Sequence, residues 1–285
     1  MIYVSSTCVK ATKIKDAVEA LAKSGFRYIE LSGGTQFYPG YADDLENLRN
    51  KYQLNYRLHN YFPPPEKSFV LNLCSADKDV EAKSFSMVRA AVEMSAKYGA
   101  KEYGLHAGFR MSPSSEELGQ QIRERRLMDY NSACRKFIDS YKLLNEEALK
   151  KGVALYIENN VFSDANFKSF QGENPFLLTT YGEYEELSRM NPFSLLLDVA
   201  HLKVSCHTLK LDYVSELRSF LARSDYIHVS DNDRTHDSNN SFSETSDFYQ
   251  VMKETKLNGK SFTIEVYEDL PVLRDCYERM SKLIA

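Results

Sequence analysis

The chain has 285 residues, 43% of them hydrophobic and 27% charged, and its 36 basic and 40 acidic side chains leave a net charge of −4. That apolar content suffices for one large core, and the near balance of charge excludes a whole-molecule field for gripping nucleic acid. The five cysteines, Cys8, Cys74, Cys134, Cys206 and Cys276, are scattered, and the N-terminus has no basic-then-apolar leader, so a soluble cytoplasmic protein with no membrane span is expected.

In chain order, short apolar runs at residues 2–6, 26–31, 56–59, 101–106, 153–158, 193–198, 225–229 and 262–266 read as strands. Amphipathic segments at 13–23, 42–52, 79–98, 116–151, 181–190, 212–222, 246–256 and 271–284 read as the helices between and after them. Strict alternation of the two predicts an α/β fold, a (β/α)8 TIM barrel, built as a single domain over 1–285. Gly25, Gly99, Gly152 and Gly259 stand where each helical run must stop before the next strand. In the longest segment Leu118, Ile122, Tyr130, Phe137, Tyr141 and Leu144 form the stripe expected to pack on the barrel. Two longer connections, 62–75 and 163–180, fall at the C-terminal ends of strands, where loops of such barrels shape the active site.

Ionisable residues fall at those same ends. Glu30, His59, His106, Glu158, Asp198, His228 and Glu265 close seven successive strand-like runs, and His201 follows Asp198 by one turn. Any one of them could be a hydrogen-bonded rim residue; together they mark the end where barrel chemistry sits. Two residues earlier in the strands lie Tyr28, Arg57, Tyr156, Leu196, Tyr226 and Thr263, whereas the intervening Ile29, Leu58, Ile157, Leu197, Ile227 and Ile264 are all aliphatic. Because residues two apart share a face, the aliphatic face should meet the helices and the ionisable residues should form the top layer inside the barrel. Glu158, Asp198, His228 and Glu265 offer three carboxylates and an imidazole, a hard set suited to Mn²⁺, Mg²⁺ or Co²⁺ and open to Zn²⁺. His59 and His106 could complete a second metal site that shares Glu158.

The segments IENN at Glu158, LLLDVAHLK at Asp198, YIHVSDND at His228 and FTIEV at Glu265 resemble the metal-binding strand ends of the xylose-isomerase-like barrel superfamily. That superfamily takes in sugar isomerases, keto-sugar epimerases and the endonuclease IV group of abasic-site nucleases. The resemblance implies that Glu158, Asp198, His228 and Glu265 hold one divalent metal, that Glu158 and Glu265 are also catalytic and exchange protons with substrate, and that His201 contacts substrate. LHNY at His59, the run 69–73 and GLHAGF at His106 resemble the nuclease branch, where such histidines join Glu158 at a second zinc. The nuclease's third zinc uses a histidine matching His201 and an Asp-Arg-His triplet; here the triplet reads Asp237-Ser238-Asn239, and an asparagine is a poor zinc ligand.

The preferred function is therefore a metal-dependent sugar or sugar-phosphate isomerase or epimerase, acting by proton abstraction through a metal-stabilised enediolate, a start that dehydration would share. The alternatives are an endonuclease IV-like phosphodiesterase acting on abasic DNA, and a carbohydrate-binding barrel whose chemistry has lapsed. Expected substrate contacts are His201, Glu30, Lys203 and Asp237, although pairing with Arg57 is the plainer expectation for Glu30 and solvation explains Lys203 equally well. The expected partner is a small carbohydrate, with homo-oligomerisation left open. His207 and His236 read as solvated loop residues.

Overall fold

In the computed structural model, which describes residues 1–284, eight short parallel strands close into a barrel in chain order: β1 (Ile2–Ser5), β2 (Tyr28–Leu31), β3 (Asn55–His59), β4 (Glu102–His106), β5 (Ala154–Glu158), β6 (Ser194–Asp198), β7 (Tyr226–Val229) and β8 (Ser261–Ile264), with β8 returning to β1. Around them lie α1 (Ile14–Lys23), α2 (Tyr41–Tyr52), α3 (Lys78–Tyr98), α4 (Tyr130–Leu149), α5 (Asp164–Ser169), α6 (Tyr181–Met190), α7 (Val199–Leu209), α8 (Tyr213–Leu221), α9 (Asp247–Lys253) and α10 (Leu270–Ile284). The expected (β/α)8 TIM barrel is thus present, with each strand within two residues of its sequence-based bounds at the start and end.

The alternation along each strand sorts the side chains as the pattern dictates. Ile29, Leu58, Ile157, Leu197, Ile227 and Ile264 are fully buried in the main apolar cluster, which joins the outer face of the barrel to its helices. The inner face is polar at mid-height. Arg57 lies there, sandwiched between the rings of Tyr3 and Tyr226 at 4.1 and 3.6 Å from their centroids, and bonded to Glu30 and Glu102 at 3.0 Å each. A buried guanidinium is tolerable only when its donors are satisfied, and this one also reaches Ser261 and Thr263 across the barrel. At the upper end, register sets site residues side by side: His106 is opposite Glu158, and Asp198 is opposite His228.

Three helix expectations need correction. The segment 116–151 is not one helix: Ser115–Glu117 makes a single 3₁₀ turn, closed by a reciprocal Ser114–Glu117 capping box, and α4 starts only at Tyr130. Gly119 sits at φ +71°, and Met128 N donates to Arg110 O, so the backbone bonds outward where a helix would bond along itself. Leu118 and Ile122 consequently pack in a separate apolar cluster with Val70, Phe109, Met111 and Phe162, whereas Phe137, Tyr141 and Leu144 do face the barrel. Two helices absent from the sequence reading appear as well, α5 inside the 163–180 connection and α7 springing straight from β6. The other loop expectation holds, since 62–75 contains no helix or strand. All five cysteines are buried free thiols, and among the described residues no helix is long and apolar enough to cross a membrane.

Candidate metal centre

The strand ends converge on Glu158, the last residue of β5. Its two oxygens face different neighbours. Oε1 stands 3.5 Å from His228 Nδ1 and 3.7 Å from His201 Nδ1, and Oε2 stands 2.8 Å from His59 Nε2 and 3.3 Å from His106 Nδ1. His228 Nδ1 is also 3.4 Å from Glu265 Oε2, on the residue that follows β8. Asp198 joins Glu158 and His228 with ligand atoms within 4.8 Å of one another, and His106, Glu158 and His201 form a second such group. Glu30, His59, His228 and Glu265 form a third group, so Glu158 and His228 are each shared by two groups, and the four residues expected around one ion are divided between overlapping groups.

Local folding explains the placement of Asp198. It ends β6 and caps α7, where its Oδ1 accepts the amides of Ala200 at 2.8 Å and His201 at 2.7 Å. Free amides at a helix start favour an acidic side chain there, and that interaction pins one carboxylate oxygen while leaving the other for the cluster. Asn159, the residue after Glu158, locks the β5 and β6 ends together, donating to Asp198 O and accepting from Asp198 N. Its own carbonyl takes His201 Nδ1 at 3.0 Å, and His201 Nε2 meets Asp237 Oδ2 at 3.1 Å. With both ring nitrogens engaged, His201 stands as a wall residue of the mouth.

The residues fit a divalent cation on two observations. First, His106 Nδ1 and His228 Nδ1 are buried with no hydrogen-bond partner, yet both point at Glu158. An orphaned buried ring nitrogen is costly unless it ligates something. Second, carboxylates and imidazoles from separate strands bring their ligand atoms within 4.8 Å of one another. The protonation equilibria differ from one residue to the next. Burial alone would raise the Glu158 carboxyl, but His106 and His59 hold it well below the carboxylate range. Burial would likewise discharge His228, but Glu30 and Glu265 raise it well above an ordinary histidine. Burial pushes Asp198 up to about 7, opposed by His201 and reinforced by Glu158. Burial brings His106 down to about 4.

The remaining expected site residues divide. Asp237 is at the mouth, bonded to His201, and its Oδ1 is buried without a partner. Glu30 pairs with Arg57 as expected, but it is fully buried behind His228 and meets that imidazole's far nitrogen, which leaves no face for a substrate; the substrate expectation for Glu30 is corrected on that ground. Lys203 is not a freely solvated lysine: it is buried against Asp231 Oδ1 at 2.5 Å, with Asp247 Oδ2 at 3.8 Å. Asn239, at the place of the third-zinc histidine, is buried with φ +47° and accepts from Ser230. His207 and His236 are exposed, as expected.

Sequence reasoning missed Asn159, although IENN put it beside a ligand. It also missed Gly104, where an added Cβ would stand 2.8 Å from His59 Cδ2 and 2.5 Å from Leu196 Cδ1. The signal was a glycine in the inward row, two places before His106.

A family model described as xylose isomerase-like TIM barrel matches residues 18–281. No curated protein is significantly similar to the chain. Solved structures share its fold at low identity. A D-tagatose 3-epimerase-like protein is 16% identical, with 99% of this chain and 96% of that one covered at a TM-score of 0.73. The 3-keto-D-glucoside 4-epimerase of E. coli is 12% identical, with 99% and 98% covered at 0.66. The D-psicose 3-epimerase of Clostridium cellulolyticum, solved with D-tagatose, is 13% identical, with 99% and 97% covered at 0.64.

Proposed function

The chain belongs to the xylose isomerase-like TIM barrel family, and from that premise we propose that it is a divalent-metal-dependent epimerase or isomerase of a keto-sugar. The observation that carries this reading is the pair of carboxylates, Glu158 and Glu265, that meet the same orphaned nitrogen of His228 from separate strands. Epimerisation beside a carbonyl needs a base to take a proton from carbon and an acid to return one. Two carboxylates from β5 and β8, reaching one point in the barrel mouth, fit that division. A divalent ion held by Glu158, Asp198, His228 and Glu265 would supply Lewis-acid stabilisation of the charge that develops on a carbonyl oxygen as the adjacent proton leaves. His59 and His106, on the other oxygen of Glu158, are the residues for a second ion.

The rest of the mouth handles a polyol. Asp237 Oδ1 can accept a hydrogen bond from a sugar hydroxyl, and His201, its two ring nitrogens taken by Asn159 and Asp237, holds that carboxylate in place at the mouth. Burial of Glu158, Asp198, His201 and His228 keeps bulk water from the proton being moved. The neighbours named as a D-tagatose 3-epimerase-like protein, a D-psicose 3-epimerase and a 3-keto-D-glucoside 4-epimerase support a carbohydrate substrate.

A second reading, a phosphodiesterase for damaged DNA, is favoured by one observation, the approach of His59 and His106 to Glu158. Against it stand the engaged nitrogens of His201, the asparagine at 239 and the net charge of −4. Metal analysis of the purified protein, paired with assays on keto-sugars and on abasic-site DNA, separates the readings. Bound Mn, Co or Zn with interconversion of ketose epimers supports the proposal. DNA cleavage with every sugar untouched supports the nuclease, and failure to bind any of these metals supports a lapsed barrel.

A further inference from the structure

The polar set beneath the site is built around a single carboxylate. Glu30 Oε2 accepts from Arg57 Nε at 3.0 Å, from Thr263 Oγ1 at 2.6 Å and from the Tyr226 hydroxyl. Three donors from β3, β7 and β8 thus fix one oxygen, and the whole group is shut from solvent. The other oxygen, Oε1, has no hydrogen-bond partner of its own but stands 3.0 Å from His228 Nε2, which also meets the Tyr226 hydroxyl at 3.4 Å. On the opposite side of the same ring, Nδ1 is the unpartnered nitrogen that faces Glu158 and Glu265.

We propose that Glu30 is a positioning residue for His228: its Oε1 accepts a hydrogen bond from Nε2–H, which keeps the ring proton on Nε2 and so commits Nδ1, with its lone pair, to a divalent cation. The inference rests on the metal-dependent reading above. A neutral imidazole carries one proton, and whichever nitrogen holds it is lost as a ligand. A carboxylate behind the ring settles that choice, and a partner of this type typically affects metal affinity about 10–100-fold. Arg57, Thr263 and Tyr226 act one step further back, by fixing which oxygen of Glu30 is free.

The geometry makes Glu30→Gln a sharp probe. Arg57 has no acceptor, so the glutamine oxygen must take the place of Oε2, facing the guanidinium, and the amide NH2 must then face His228 Nε2. A donor at that position requires Nε2 to accept, which moves the ring proton to Nδ1 and blocks the ligand nitrogen. Nearly the same shape therefore delivers the opposite tautomer.

Two measurements test this on the full chain. Chelator competition with Mn²⁺ and Zn²⁺ gives the dissociation constant of wild type and of Glu30→Gln; the account expects weakening by about 10–100-fold, with the far-ultraviolet dichroism of wild type retained. Ring nitrogen NMR of zinc-loaded wild type, which needs no variant to fold, should find the metal on Nδ1 of His228 and the proton on Nε2. Zinc on Nε2 overturns the proposal, as does a folded Glu30→Gln that binds metal within about twofold of wild type. Wild type that binds neither metal overturns the metal-dependent reading itself, and this inference with it.

Discussion

Glu158 sits where two clusters meet, and its chemistry can be separated from its folding. Replacing Glu158 or Glu265 by Gln removes a proton carrier, and each change should lower epimerase turnover by about 10²–10⁴-fold, read in a coupled or NMR assay of ketose interconversion. Full turnover and full metal content in both variants would remove these residues from the mechanism. Gly104 gives a prediction of another kind. Its missing Cβ is what lets His59 lie against Glu158, so Gly104→Ala should cost about 1–3 kcal/mol in thermal or urea unfolding. The same variant should lose occupancy of the His59–His106 side before that of the Asp198–His228 side, as metal titration would report. At this scale the ligand types were legible because charged residues are rare at the ends of buried strands. The place of Glu30 behind His228 and the pairing of Lys203 with Asp231 were not, because each depends on a partner distant in sequence that no local pattern reveals.

Among the elements, caps and turns carry the local stability, and they can be probed away from the site. Asp77 Oδ1 accepts the amides of Asp79 and Val80 at the start of α3. Asp77→Ala should therefore cost about 0.5–2 kcal/mol of stability with metal binding unchanged. The 114–125 turn has its own staple. Burial would raise the Glu117 carboxyl, but the amides of Ser114 and Arg123 and the Arg125 guanidinium hold it down to about 2. A carboxyl with a lowered folded-state pKa contributes stability that is fully present above its unfolded value of about 4.3, and that stability is lost as pH falls through the folded value. Hydrogen exchange should thus show this turn loosening between about pH 4 and pH 2, and Glu117→Gln should abolish that acid dependence. Of the helices, α6 was legible to the residue, α1, α2, α3, α8 and α10 were legible to within one residue at each end, and α9 stops at Lys253, short of the expected 256. Residues 116–129 were not, since Leu118 and Ile122 keep helical spacing while packing on a different cluster, and only Gly119 hinted at the break.

Across the whole molecule, eight alternations of strand and helix made the closed barrel readable, because that pattern has few ways to bury both faces of its sheet. The convergence of distant strand ends followed from the closure: residues from 30 to 265 meet only because β8 returns to β1. What the pattern withheld was the depth of the site, with a polar layer around Arg57 underlying the ligand layer. In the proposed function, this arrangement removes and returns a proton next to a sugar carbonyl. The most direct measurement is deuterium uptake from D2O into free and phosphorylated keto-sugars incubated with the Mn²⁺-loaded protein, followed by NMR. Wild type should incorporate deuterium at a carbon adjacent to the carbonyl, and Glu158→Gln and Glu265→Gln should lose that incorporation; metal-loaded wild type that leaves those C–H bonds of every keto-sugar unexchanged would show that the site does not move this proton.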